Sequence, residues 1–590
     1  MAEKVDPITL DIIENALKNA RFEMDGVVVR IALSPVIREQ HDEFPMICND
    51  RGQMVVGQFG SYIPAIVEQF KGDINEGDIF VWNDPYACKG SISHNNDWCV
   101  MMPIFQEGIL VGFSSIFGHM VDTGGTVPGS MPANARTIWE EGLRVPPVRI
   151  YDKGVLNKGV LDIMLNNTRT PDMNRADLMA LIAGCRTAAT RVRELCDRFG
   201  RETYMTACDM LLDRTREAMK VLIEKYIPVE PVEFTDYVDD DGLGNGPFKM
   251  KLSIYKRADG VAVFDWTGTD DQAEGPINFH IHEGLCKLFF GVYMIMAFDP
   301  SVLFNEGFYD LFEVVLPEGS LLNPRFPAAL SNRLNTHTRF FDCQAGALGQ
   351  RAPHLSMAAG YGTSPHFIFT GHDKDNKYFQ LMELLFGGVP GRPRGDGLDG
   401  HAWWPLFSAT PIEYIENYYP VLVEGYRPVK DSGGAGLHRG GAGIEKIYRL
   451  LEPGKVSIHD DREVVPPWGI NGGLYGGTSS KWLVRAGSTE RERIPSKIDN
   501  LPVGPGDTIH FITAGSGGWG DPLDRPAEFV ARDIAYDLVS PEKAESDYGV
   551  IVDANGKVDR AATDKLRASK RAERGEPEPF NFGYFPQAAE

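Results

Sequence analysis

The residues best suited to chemistry are His94, Asp97 and His119, the first two within the run His94-Asn95-Asn96-Asp97. Two imidazoles and a carboxylate form a mixed nitrogen and oxygen set that suits one divalent metal ion such as Zn, Mn or Fe. Such a set leaves coordination positions open, as metal-assisted hydrolysis or carbonyl polarisation requires. The plainer reading is ordinary polar loop residues. Asp42, in Arg38-Glu39-Gln40-His41-Asp42, is a candidate fourth ligand, and Asp122, in Asp122-Thr123-Gly124-Gly125, a weaker one. The plainer reading of each is a turn or cap acid.

Local structure can bring the three together. The stretches from Asp97 to Phe105 and from Ile109 to His119 read as strands joined by the turn Gln106-Glu107-Gly108. Pairing Phe105 with Ile109 places Asn95 opposite His119 and Asp97 opposite Phe117. Directly opposed residues lie about 4.5–5.5 Å apart and diagonal ones about 7–8 Å. His94, Asp97 and His119 therefore converge at one end of the hairpin.

Several other chemistries are excluded. Gly515-Ser516-Gly517-Gly518-Trp519-Gly520 has the G-x-G-x-x-G spacing and follows a strand-like run, Thr508 to Thr513. Asp521-Pro522 comes next instead of a helix, and too little chain remains for a dinucleotide-binding domain. There is no G-x-x-x-x-G-K-[ST] phosphate loop and no G-x-S-x-G nucleophile elbow. His280, His282, His337, His354, His366 and His401 are scattered and read as structural or loop polar groups. Asp239-Asp240-Asp241-Gly242 lacks the spacing and distal Glu of a calcium loop and reads as a solvated turn.

The 590 residues carry a formal net charge of -23, with 43% hydrophobic and 24% charged residues. That charge argues against a nucleic-acid or anionic-membrane partner. The chain is long enough to bury an ample core. Its eight cysteines contain no C-x-x-C pair, and none follows Cys343. They read as reduced, buried thiols rather than a disulfide framework. The N-terminus has no apolar signal segment, and no apolar run is long enough for a membrane helix. A cytoplasmic protein is expected.

The elements that must carry the site begin with a helix from Pro7 to about Ile31, whose apolar face holds Ile8, Ile12, Ile13, Ala16 and Leu17. A strand-rich stretch follows from about 44 to 150. Two helices occupy about 172–226, with a break at Phe199-Gly200. Strands return at 230–275. Residues 276–420 mix helices with long Gly/Pro/His loops, and a glycine-dense β region begins near 425. The tail from about 526 is helical, then charged and Pro-rich, and is expected to be an arm or partly disordered. The fold class is α+β. Its segments are 1–170 (strand-rich and metal-binding), 171–228 (helical), 229–425 (mixed), 426–525 (Gly-rich β) and 526–590 (helix and tail).

The ordered motifs of this chain resemble the hydantoinase B family, from about residue 5 to 552. They include Asp6-Pro7-Ile8-Thr9-Leu10, Asn83-Asp84-Pro85-Tyr86, Thr126-Val127-Pro128-Gly129-Ser130-Met131-Pro132 and Glu141-Gly142-Leu143-Arg144-Val145-Pro146-Pro147. Later come Leu316-Pro317-Glu318-Gly319-Ser320-Leu321-Leu322-Asn323-Pro324, Asp431-Ser432-Gly433-Gly434-Ala435-Gly436 and Pro466-Pro467-Trp468-Gly469. That family includes hydantoinase and caprolactamase subunits, the matching half of 5-oxoprolinases, and large subunits of acetone and acetophenone carboxylases.

The resemblance implies that His94, Asp97 and His119 hold a metal, with Asp42 where some members add a ligand. It implies a hydantoinase-A-type ATPase partner that uses ATP to phosphorylate the substrate. The assembly expected is a hetero-oligomer such as a dimer of heterodimers, with or without a small third subunit. ATP-dependent hydrolysis of a cyclic amide (hydantoin, lactam or oxoproline-like) is the preferred activity. ATP-dependent carboxylation of a ketone such as acetophenone or acetone comes next, and a non-catalytic scaffold is a third reading. Two departures stand out. Met120 replaces a second histidine frequent in the family, and Trp403-Trp404-Pro405-Leu406-Phe407-Ser408 replaces a more polar stretch. If that stretch lines the substrate site, it favours an apolar or aromatic substrate.

Overall fold

The computed structural model describes residues 5–58, 60–403 and 407–584. Asp6 caps the first helix, α1 (Pro7–Ile31), by accepting hydrogen bonds from the backbone N–H groups of Ile8 and Thr9 at 3.1 Å. Pro7 sits in the first turn, where its missing N–H costs nothing. The helix has the bounds expected from the sequence, but its buried face is Leu10, Ile13, Leu17, Ala20, Met24 and Val28. Ile8 and Ile12, assigned to the apolar face from spacing, are exposed.

The chain divides into two units. The first comprises Met1–Pro231, Ser253–Thr267 and Glu274–Arg333. After α1 come α2 (Pro35–Arg38), β1 (Glu43–Cys48), β2 (Met54–Gly57), α3 (Pro64–Gln69) and β3 (Ile79–Trp82). β4 (Asp97–Gln106), β5 (Ile109–His119), β6 (Val148–Asp152) and β7 (Val155–Leu156) follow, then α4 (Lys158–Asn166), α5 (Pro171–Phe199) and α6 (Arg201–Tyr226). Gly200, at φ 88°, makes the break between the last two helices. The strands form one antiparallel sheet in the order β2-β1-β5-β4-β3-β6-β7.

Helix α5 lies along α1 and against β4 and β5. Leu178, Leu181, Ile182 and Cys185 of α5 join Val100 and Ile116 of the sheet in one apolar cluster. Ala188, Ala189 and Val192 of α5 join Ile13, Leu17 and Met24 of α1 in a second. Burying this surface is the main stabilising term for a sheet covered by helices. Gly118 permits a close approach of helices to the sheet: a Cβ there would stand 2.8 Å from Ile37 Cδ1 and 3.0 Å from Leu181 Cδ2.

The second unit comprises Val232–Leu252, Gly268–Ala273 and Leu334–Glu590. A four-stranded sheet (Tyr378–Leu384, His366–His372, Gly454–His459, Lys497–Val503) shares an apolar core with a five-stranded one (Val421–Pro428, Ile444–Leu450, Thr508–Ile512, Ser480–Val484, Glu492–Ile494). Phe367 of one sheet stacks on Tyr448 of the other at 4.1 Å. The helix Leu334–Gly349 is buried along nearly its whole length. Its charges are paired: Arg339 Nη2 with Asp461 at 2.5 Å, and Asp342 with Arg462 at 2.7 Å.

The glycine runs pack backbone on backbone. A Cβ at Gly515 would strike Ser432 O, and one at Gly517 would strike Trp468 O, so the G-x-G-x-x-G run serves close packing. The acidic turn also has structural partners. Asp239 accepts from the N–H groups of Glu463, Val464 and Val465, and Asp241 from those of Leu243 and Asn245. Part of the tail packs as an arm on this unit. Phe580–Asn581 forms a short strand with Gly469–Ile470, because Phe580 and Phe582 have Phe234 to pack on, at 5.2 and 5.7 Å. All eight cysteines are free and buried. Among the described residues, no helix is long and apolar enough to cross a membrane.

Candidate metal centre

The hairpin that carries the candidate ligands is tighter than its sequence suggests. Glu107 (φ 53°) and Gly108 (φ 75°) form a two-residue turn with Gln106 opposite Ile109. Positive φ at both positions matches the primed turns that suit a twisted hairpin. A bulge then places Val111 between the pairs Phe105–Leu110 and Ile104–Gly112. Each irregularity moves the register by one residue from the sequence-based pairing. Asp97 therefore faces His119, not Phe117. The expected convergence holds, with direct opposition where a diagonal was expected.

His94 Nε2 lies 2.9 Å and His119 Nδ1 3.3 Å from the same oxygen, Asp97 Oδ1. The two imidazole centroids are 4.9 Å apart. One ligand atom from each of His94, Asp97 and His119 lies within 4.8 Å of the others, and all three residues are buried. His94 Nε2, the ring nitrogen that faces Asp97, is buried and makes no hydrogen bond among the described residues. Buried polar atoms are normally satisfied, so an unsatisfied imidazole nitrogen in a histidine–carboxylate cluster fits a metal-binding role.

Electrostatics favour the ligand forms. Burial, reinforced by Arg333, pulls His94 down to about 3, which keeps its imidazole neutral. Burial opposes ionisation of Asp97, but His94, His119 and Arg333 outweigh it and hold its carboxyl well below the usual range.

Asparagines clamp the ligand loop. Asn83 Nδ2 donates to Asn95 O (2.6 Å) and Leu143 O (2.9 Å), while its Oδ1 accepts from Val145 N at 2.6 Å. Asn96 Nδ2 donates to Met120 O and Gly129 O. Asp42 is placed by His41, whose φ of 58° turns the chain out of α2 into β1. Asp42 O accepts from His119 N at 3.0 Å, and Asp42 Oδ2 lies 3.8 Å from His119 Nδ1. Burial pushes Asp42 up to about 6. Asp42 thus borders the three residues but lies outside their tight cluster. Asp122 holds the following loop: its oxygens accept from Gly124 N, Gly129 N and Arg169 N and pair with Arg169 Nη1.

Arg333 is the site residue that the sequence reading missed. It is 5% exposed, with Nη2 3.3 Å from Asp97 Oδ2 and Nε donating to Ser93 Oγ at 2.6 Å. Glu141 steadies the approach to it by accepting from Leu330 N and Ser331 N at 2.5 and 2.7 Å. No local pattern around Ser331-Asn332-Arg333 announces this role. The available signal was Glu141, an acid within one of the quoted motifs.

The match to known proteins covers this whole arrangement. Residues 6–522 match the family described as hydantoinase B/oxoprolinase. The chain belongs to that family. Among its relatives, the putative B-type subunit of a D-/L-hydantoinase from Pseudomonas sp. (strain NS671) is 30% identical, over 96% of this chain and 98% of its own length. The beta chain of caprolactamase from Pseudomonas jessenii is 31% identical, over 96% and 99%. The crystal structure of ATP-dependent caprolactamase from the same organism superposes with a TM-score of 0.86 at 28% identity, covering 96% of this chain and 100% of that one.

Of the departures from the hydantoinase B pattern, Met120 is fully buried in the apolar cluster with Trp98 and Ile37. Trp403 N donates to Tyr361 Oη at 3.1 Å. Trp404, Pro405 and Leu406 lie outside the described residues. Several scattered histidines have structural partners. His282 accepts from Gly284 N at the start of a helix and stacks on Tyr62; His280 stacks on Tyr86, and His337 lies against Phe341.

Proposed function

We propose that this chain is the metal-carrying subunit of a cytoplasmic, ATP-dependent hetero-oligomeric enzyme that hydrolyses a cyclic amide. A hydantoinase-A-type partner uses ATP to phosphorylate the substrate, which this chain then processes. The observation that carries the reading is the convergence of His94 Nε2 and His119 Nδ1 on Asp97 Oδ1. His94, Asp97 and His119 hold one divalent ion (Zn, Mn or Fe), with Asp42 as a further ligand. When bound, the ion supplies Lewis acidity toward a carbonyl or phosphoryl oxygen. The protein contributes the neutral imidazole of His94, the ring of His119 and the ionised carboxylate of Asp97, all buried. Full-length likeness to proteins named as hydantoinase and caprolactamase subunits favours hydrolysis over ketone carboxylation.

The test is metal content by plasma mass spectrometry, followed by assays with ATP and the ATPase partner on hydantoins and lactams. Near-stoichiometric metal with ATP-dependent ring opening supports the proposal. Incorporation of labelled bicarbonate into a product without ring opening would move the assignment to a ketone carboxylase. A wild type without metal would favour a scaffold.

A further inference from the structure

Arg333 is a cation placed beside a candidate cation site. Its Nε is occupied by Ser93 Oγ and its Nη2 by Asp97 Oδ2. Its Nη1 is buried and has no hydrogen-bond partner among the described residues. Burying a guanidinium with an unused donor is costly, so the site has reason to hold a partner for it. Asn95, adjacent to His94, is 1% exposed, and neither polar atom of its carboxamide has a partner among the described residues.

Charge balance points to the partner's sign. Asp42 and Asp97 are the acids at the cluster, and a divalent ion with Arg333 exceeds them in positive charge. Glu141, the nearby third acid, is pushed up to about 8 by burial and adds little negative charge at neutral pH. Asp97 also divides its two oxygens: Oδ1 faces the imidazoles and Oδ2 the guanidinium. An anion with two or more acceptor oxygens can meet the metal through one oxygen and Nη1 through another. Arginine suits such planar or tetrahedral oxyanions.

We infer that Arg333 is a substrate-positioning residue that binds an oxyanion, a phosphoryl or carbonate group, shared with the metal held by His94, Asp97 and His119. The inference rests on the metal reading above.

The test uses the full chain, its metal content measured in each preparation, and titration calorimetry with inorganic phosphate and, separately, bicarbonate. Wild type should bind at least one of them. Arg333→Met should bind it about 10- to 100-fold more weakly, the range expected for loss of charge-assisted hydrogen bonds, while keeping its metal. Arg333→Lys, which retains charge without the forked donors, should fall between. It also decides the question should Arg333→Met fail to fold. A preference for phosphate identifies a phosphorylated substrate, and a preference for bicarbonate a carbonate one. Equal affinity in wild type and variants with metal retained, or no binding of either anion by wild type, overturns the proposal. Failure of the metal reading appears separately, as wild type that carries no metal. Phosphate and bicarbonate binding by that protein is then judged against the same variants and outcomes.

Discussion

Asp97 and His119 face each other directly across β4 and β5, with His119 Nδ1 3.3 Å from Asp97 Oδ1. Because the pair closes the end of the hairpin, His119→Ala removes one candidate ligand without disturbing the strands' backbone bonds. Metal content should fall at least about tenfold, as even mutation of outer-shell partners costs 10–100-fold in affinity. Plasma mass spectrometry measures the loss, and unchanged circular dichroism confirms the fold. Full metal retention would remove His119 from the ligand set.

The turn that sets this register depends on Gly108 at φ 75°. A Cβ there would meet nothing within 4 Å, so substitution tests backbone strain alone. Gly108→Ala should cost about 1 kcal/mol, seen as a lower urea midpoint, with metal content unchanged. Loss of metal would mean that the turn transmits its strain to Asp97 and His119.

Gly118 tests the packing behind His119. Gly118→Val would press on Ile37 and Leu181 and should cost about 1–3 kcal/mol by overpacking. Metal affinity should also weaken, because the strand must shift beside the candidate ligand His119. Thermal unfolding and metal titration read the two effects independently.

Glu306 gives a pH prediction away from the site. It is 2% exposed, and burial pushes it up to about 8. A carboxyl with a raised folded-state value binds its proton more tightly when folded. Its stabilising contribution is complete below the unfolded value near 4.5 and declines as pH rises toward about 8. The slope is at most roughly 1.4 kcal/mol per pH unit. Glu306→Gln should flatten urea-denaturation stability between about pH 5 and 8, measured at ~0.5-unit steps; an unchanged slope would assign the effect to other groups.

Asp461 bridges Arg339 at 2.5 Å and Lys497 at 2.8 Å, all fully or nearly fully buried. Removing one member of a buried pair strands the other charge. Asp461→Ala should therefore cost about 3–5 kcal/mol or prevent folding, whereas an exposed pair such as Lys71–Glu68 should lose less than about 1 kcal/mol on truncation. Parallel denaturation curves make the comparison.

The sequence by itself determined what neighbouring residues encode. Asp6-Pro7 and the spacing of apolar residues specified α1; Phe199-Gly200 marked the break between two long helices; and two strands around Glu107-Gly108 brought His94, Asp97 and His119 together. Tertiary structure decided what depends on distant partners. The Val111 bulge, beside the close approach of Cys48 O to Gly112, set the register of the ligand hairpin. Packing selected which face of α1 is buried, and Phe234 gave Phe580 and Phe582 a place to dock. Arg333 stayed hidden because a long-range ion pair leaves no periodicity in its own segment: its meeting with Asp97 depends on burial and on Glu141 holding the preceding backbone. Local propensity and turn chemistry act over a few residues, whereas charge and close packing act across space, so the meeting of His94, Asp97 and His119 was legible in the sequence and its electrostatic setting was not.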